Sequence, residues 1–379
     1  MNPADPLRVG IVCDLLEEHW PSMDLVADQL VRVLPSVAGD RITPVRIRPA
    51  MPRWPRVLAR ASGLRPAVNA NRYLDRHRRY PAWLRRHRPP CDAYHVIDHT
   101  YAHLVHALPA KRTIVTCHDV DAFRCLFDPE GEPRSAAFRR MAERILDGLR
   151  RAAVVTCDSD ATRDALVAHG LRRDGLVVVP LGVHPAFTPG DAASPAESPP
   201  MLLHVGSTIP RKRIDVLLDV VAGLRAADPA IRLVRVGGPF TAEQTVQVRT
   251  LGLAEAITVM PALGQAELAD LYRRAALVLL PSDREGFGLP VVEAMACGTP
   301  VVASDLPVLR EVGGSAATYA PAGDVDAWVK MVQTLLAERA AHPDRWTARR
   351  AAAVRQAAAF TWERCAAGMA DLYRTVGHG

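Results

Sequence analysis

Short runs of aliphatic and β-branched residues alternate along the chain with longer amphipathic stretches. That alternation predicts parallel α/β sheets crossed over by helices. In the first half the strand candidates are residues 7–13, 93–97, 113–117, 153–157 and 176–180. A second set falls at 201–205, 231–236, 257–260, 277–281 and 300–304. Behind Pro210, the residues Ile214, Leu217, Leu218, Val221 and Leu224 recur at helical spacing and predict one apolar face. Residues 328–374 read as mostly helical. Between the two sets, residues 190–200 (GDAASPAESPP) predict a linker. The expected chain is therefore α/β, with doubly wound domains at 1–189 and 201–359 and a closing helix at about 360–379. Ligands of such sheets bind beyond the carboxyl ends of the strands.

Composition fits this picture. The 379 residues are 49% apolar, enough for two cores. No apolar run approaches bilayer thickness, and the first residues run into a strand without a basic leader. Seven scattered cysteines lack metal-site spacing and read as buried free thiols of a reducing compartment. The expected location is the cytoplasm. The net charge of +6 is uneven: residues 41–88 hold fourteen arginines and one acid, Asp75, interleaved with Trp54, Tyr73, Tyr80 and Trp83. Such a stretch can seek an anionic surface, either a membrane leaflet or a phosphate-bearing partner. It can equally be a solvated helical face in a chain that uses Arg in place of Lys. No nucleic-acid motif accompanies the charge, so no nucleic-acid partner is expected.

The richest chemistry lies at 281–305, PSDREGFGLPVVEAMACGTPVVASD. Glu285 and Glu293 flank a loop, Gly286-Phe287-Gly288, that runs into Pro290. Pro290 suits a helix start and Gly298 the residue past its end. Free N–H groups and a positive dipole end then lie beside two carboxylates: acceptors for hydroxyls, donors for anionic oxygens. Upstream, a strand ending at Gly206 leads to Arg211, Lys212 and Arg213 at an expected helix start opened by Pro210. Cations there oppose the helix dipole, which suggests an anion such as a diphosphate. Gly237-Gly238 ends another strand and permits close backbone approach.

Taken together, these motifs resemble the donor half of retaining glycosyltransferases of family 4, with an E-x7-E block preceded by the Arg/Lys turn and the glycine pair. Residues 360–376, FTWERCAAGMADLYRTV, resemble the family's last helix, which packs back on the first domain. The resemblance implies the GT-B fold: two Rossmann-like, doubly wound domains facing each other across a cleft. It implies that Glu285 engages the transferred sugar, aided by the amides from Phe287 through Gly288 to Leu289. Glu293 then holds the ribose, and Arg211 with Lys212 clamps the diphosphate. Gly237, Pro261 and Leu263 line the donor site near the base. The family often has an arginine several residues before the lysine; here Ser207 to Pro210 stand there, and Arg211 is left as the partner.

In the first half, His118 lies just past a strand and resembles the family's histidine at the donor sugar. Ser22, Asp98, Tyr101 and Asp119 are candidates for the acceptor side, with Ser22 and Asp98 also readable as helix caps. The family's glycine pair after the first strand is missing. Asp-x-Asp triplets occur at 119–121, 158–160 and 324–326; the middle one reads as a cap. No metal and no cofactor are expected, because the cationic turn fills that role. The implied activity moves a hexose from a nucleotide-diphosphate sugar (GDP-mannose or UDP-glucose type) to a hydroxyl of a carbohydrate or lipid-linked acceptor. Its setting is polysaccharide, glycolipid or glycoconjugate synthesis, peripheral at the inner membrane face. The alternatives are an epimerase or phosphorylase on the same fold, or a non-catalytic subunit that binds sugar nucleotide or glycolipid.

Overall fold

The computed structural model describes residues 6–18, 20–51, 71–190 and 199–378. Most of the expected linker, and residues 52–70 of the arginine-rich stretch with Trp54, lie outside them. The chain divides into two compact units. One runs to Leu181 and takes back the segment from Trp362; the other is Gly182–Thr361.

The first unit contains β1 (Leu7–Val12), β2 (Ile42–Ile47), β3 (Ala93–Val96), β4 (Thr113–Cys117), β5 (Val154–Cys157) and β6 (Leu176–Val178). They form one parallel sheet in the order β2-β1-β3-β4-β5-β6. β2 was not legible in the sequence because Pro44 interrupts it. It lies at the sheet edge, where a missing N–H is tolerated. Helices cover both faces, so the central strands are apolar throughout, and Val9, Ile11, Ile114 and Val115 have no exposed surface. Each such side chain contributes about 1.5–3 kcal/mol of burial free energy. A polar thread runs through this core. His95 joins Tyr373 Oη through Nδ1 and Thr116 Oγ1 through Nε2, each at 2.7 Å, and Thr116 continues to Thr156. Burial, with His118 adding to it, pushes His95 down to about 3, so the ring is neutral. Tyr373 belongs to the closing helix Trp362–His378, which is part of this unit.

The second unit contains β7 (Met201–Val205), β8 (Arg232–Val236), β9 (Ile257–Met260), β10 (Leu277–Leu280), β11 (Val301–Ser304) and β12 (Thr318–Ala320). Its parallel order is β12-β11-β10-β7-β8-β9, which reverses direction between β7 and β10. β12 also escaped the sequence reading, because its three residues, Thr318-Tyr319-Ala320, form no aliphatic run. Helix Ile214–Ala227 buries the predicted face, joined by Val216 and Val220, in a core shared with Trp328, Val332 and Leu335 of helix Val325–Ala341. All seven cysteines are free, and only Cys91 is not buried. No described helix is long and apolar enough to cross a membrane.

Candidate active site

The candidate site of the second unit stands at the point where its sheet reverses. β7 and β10 are neighbours, so the loops leaving their carboxyl ends meet there. Beyond β7 the chain makes a single 3-10 turn, Pro210–Lys212; Arg213 follows in a left-handed conformation (φ 47°), and the α-helix opens only at Ile214. The expected helix start at Pro210 is thereby corrected. Arg213 is the one non-glycine with positive φ among the described residues. That conformation costs about 1–3 kcal/mol. Asp215 and Asp283 hold its guanidinium there, with Asp283 at 2.9 Å. The break turns the cations onto the loop behind β10, where Asp283 N–H donates to the Arg211 carbonyl at 2.8 Å.

Glu285 receives both cations. Lys212 Nζ lies 2.6 Å from Oε1 and Arg211 Nη1 lies 3.2 Å from Oε2. Ser282 Oγ donates to Oε1 at 2.7 Å, and Arg211 also donates to the Arg284 carbonyl. The Glu285 side chain is 5% exposed. Burial alone would push its carboxyl up. Lys212, Arg211 and the hydrogen bonds from Lys212 and Ser282 outweigh it, leaving Glu285 ionised below the usual carboxylate range.

Behind this cluster, Gly288 takes φ 96° and opens helix Leu289–Ala296. A Cβ at Gly288 would meet Leu309 Cδ2 at 2.7 Å. Pro290 stands in the first turn and Gly298, at φ 72°, just beyond the end. The Phe287 ring packs edge-on against Phe360, so the ring is core and only its backbone can face a ligand. Glu293 is buried on the same helix and accepts from Tyr272 Oη at 2.9 Å. Burial pushes its carboxyl up to about 7, against the pull of that hydrogen bond.

At β8, Gly237 and Gly238 both donate to the Met260 carbonyl at 3.1 Å, which brings the glycine pair beside the segment carrying Pro261 and Leu263. Arg235, fully buried, donates to the carbonyls of Gly206 and Gly238 and ties the two loops together. A Cβ at Gly237 would stand 2.0 Å from the Gly206 carbonyl oxygen. Gly237→Ala is therefore expected to lower stability by about 3 kcal/mol, read as a lower urea midpoint at unchanged slope.

In the first unit, His118 follows β4 and is buried. Its Nδ1 faces Asp158 Oδ2 at 2.6 Å and its Nε2 the Ile97 carbonyl at 2.7 Å. Burial opposes its charge, but Asp158, together with Asp98 and the Ile97 carbonyl, outweighs burial and raises it to about 9, making an imidazolium that donates from both nitrogens. The Asp158–Asp160 triplet supplies this partner, while its middle residue, Ser159, is the actual cap and accepts from Thr162 N–H. Asp98 caps the 3-10 helix His99–Ala107 through Thr100. Asp14, after β1, is buried, and burial followed by the charge of Asp98 raises it to about 9, so it is held protonated near neutral pH. Tyr101 is buried beneath Arg76 and receives Leu15 N–H. Asp119 accepts from Asp121 N–H and lies 3.5 Å from His99. Ser22 does not cap: it sits exposed inside helix Pro21–Ala38, whose cap position is Trp20.

The structure thus groups Arg211, Lys212 and Glu285, and separately Gly237 with Pro261 and Leu263. The sequence reading missed Tyr272, Ser282, Arg235, Asp14 and the true role of Asp158. A buried arginine inside the strand run 232–236 was the one readable signal among them.

Two parallel doubly wound units in one chain, the second with a cation–carboxylate cluster at its switch point, define a GT-B protein. The same fold is found in sucrose-phosphate synthase from Thermosynechococcus elongatus (TM-score 0.73, 21% identity, 97% of this chain and 98% of that one). It recurs in Anabaena HepE bound to UDP and glucose (TM-score 0.73, 17% identity, 97% and 100%). Residues 28–187 match the family model Glycosyltransferase Family 4, and residues 191–352 match Glycosyl transferases group 1. The chain belongs to glycosyltransferase family 4. It is similar to the D-inositol 3-phosphate glycosyltransferase of Rhodococcus opacus, with 32% identity over 290 residues, 70% of this chain and 63% of the relative. To that of Segniliparus rotundus it is 38% identical over 218 residues, 53% and 47%. The chain thus spans less than two thirds of the length of these relatives.

Proposed function

We propose that the protein is a retaining glycosyltransferase that moves a hexose from a nucleotide-diphosphate sugar to an acceptor hydroxyl. The observation that carries this reading is the Arg211–Lys212–Glu285 cluster at the switch point of the second sheet. When a donor binds, Lys212 and Arg211 turn to the diphosphate. Glu285 is then free to accept from sugar hydroxyls, and the N–H groups of Phe287 to Leu289 hold sugar and phosphate. Glu293 accepts from the ribose, and Gly237, Pro261 and Leu263 border the base. His118 serves the donor sugar, bringing charge and not a free ring nitrogen. The bond from the anomeric carbon to the diphosphate oxygen breaks, and the acceptor oxygen bonds to the same face. The acceptor proton passes to the leaving diphosphate, whose growing charge Lys212 and Arg211 offset. No metal is needed in this reaction.

The donor is of the GDP-mannose or UDP-glucose type; the UDP and glucose in HepE support the second. The names of the relatives support a phosphorylated polyol as one acceptor class, beside the carbohydrate and lipid-linked acceptors of polysaccharide or glycolipid synthesis. The reading puts the reaction in the cytoplasm, with the basic stretch 41–88 turned toward an anionic membrane face.

A thermal-shift series with UDP-, GDP-, dTDP- and ADP-sugars tests the donor assignment. At a hundredfold excess over Kd the right donor adds about 2.7 kcal/mol. A rise of roughly 5–10 °C in Tm is expected for that one series. No shift with any of them overturns the reading.

A further inference from the structure

We infer that an arginine-lined pocket on the first unit, at the opposite end of β4 from His118, binds a phosphate group. Arg85 and Arg86 close helix Tyr80–His87, Arg88 follows it, and Arg112 comes from the turn before β4. Together with Cys91 and Tyr94 they line a pocket of about 440 Å³, the size of a small-ligand site. No acid is among its lining residues. Asp92, next in the chain to Cys91, has its carboxylate on Arg8 N–H at 2.8 Å.

Several arginines of the basic stretch have carboxylate partners. Arg46 pairs with Asp28, Arg48 with Asp24, Arg72 with Glu18 and Arg79 with Asp75. Among the described residues, none of Arg85, Arg86, Arg88 and Arg112 has an ion-pair or side-chain hydrogen-bond partner. A helix dipole accounts for Arg85 and Arg86 at a carboxyl end, but not for Arg112, which arrives from another segment. All four are exposed, so water and salt screen much of their mutual repulsion, and an anion between the two segments would offset the rest. Guanidinium groups match phosphate oxygens two at a time.

The pocket lies where the chain enters β3 and β4, the amino edge of the sheet. His118 stands at the opposite edge, past the five residues of β4, roughly 15 Å away along the strand. The inference therefore stands apart from the glycosyltransferase reading. The phosphate can arrive free in solution, on a small phosphorylated molecule, or on a lipid headgroup; the chemistry is shared.

Inorganic pyrophosphate titrated into the full chain, into Arg88→Gln/Arg112→Gln and into Lys212→Gln tests it. A saturable site that persists in Lys212→Gln and weakens at least tenfold in the pocket variant, with both variants folded, is the expected result. Vesicles of phosphatidylcholine carrying phosphatidylinositol 4-phosphate are compared with phosphatidylserine vesicles of matched charge. Preference for the former, lost in the pocket variant, assigns the phosphate to a lipid. Equal binding to both, with the pyrophosphate site intact, assigns a free ligand. The inference is overturned if the pocket variant binds pyrophosphate as the parent does, or if the Lys212→Gln chain binds none and vesicle binding follows charge alone.

Discussion

Lys212→Ala is expected to lower kcat by about two to three orders of magnitude, the usual effect of removing one group that stabilises transition-state charge. Lys212 is 9% exposed, and its ammonium lies on Glu285. Without it, Arg211 and Ser282 alone balance a buried carboxylate, so some stability must also be lost. A double-mutant cycle separates the two effects. Lys212→Ala/Glu285→Ala removes the stranded charge and should recover stability relative to Lys212→Ala, yet remain inactive. Parent-like turnover by a folded Lys212→Ala chain would mean that the cluster is a structural ion pair and not a diphosphate clamp.

Glu293→Gln is expected to stabilise the free protein and to abolish donor binding. The Glu293 carboxyl is raised from 4.5 to about 7, chiefly by burial. A carboxyl raised in the folded state helps folding below pH 4.5, and that help is lost as pH rises to about 7. Above pH 7 the native chain carries a buried carboxylate, at a cost of up to about 3 kcal/mol. Glutamine keeps the shape and the hydrogen bond from Tyr272 without the charge. Its melting temperature should exceed the parent's at pH 8 and converge with it near pH 4. An amide offers one acceptor oxygen where two ribose hydroxyls need a carboxylate. Donor affinity should fall by at least a hundredfold, and the parent's KM for donor should rise as pH drops below about 7. Unchanged KM in the variant would remove Glu293 from the nucleotide site.

The strands that carry the site were legible because they are buried on both faces and read as unbroken apolar runs. β2 and β12 were not, since Pro44 breaks the first and Thr318-Tyr319-Ala320 makes no aliphatic run. Glu285, Glu293 and the basic turn stood out as residue types at suggestive spacings. Their pairing did not: Lys212 and Glu285 are 73 residues apart, and only the adjacency of β7 and β10 joins them. The partners of buried charges were equally hidden. Asp158 looked like a helix cap, because a cap and a counter-ion to His118 use the same residue type. Nothing in the sequence marks Tyr272, on helix Gln265–Arg274, as the donor to Glu293.

The chain leaves the first unit after Leu181 and returns at Trp362, so the second unit is an insertion within the first. Its two ends stay together, Val183 N–H donating to the Phe360 carbonyl at 3.0 Å. During synthesis the inserted unit is complete before the host. The host's helix Trp362–His378, which supplies Tyr373 to the His95 network and sets Gly377 against Leu7, is made only after the inserted unit. Until then the amino-terminal sheet holds an open face. A stop codon before Trp362 would leave the second unit whole and the first permanently unfinished.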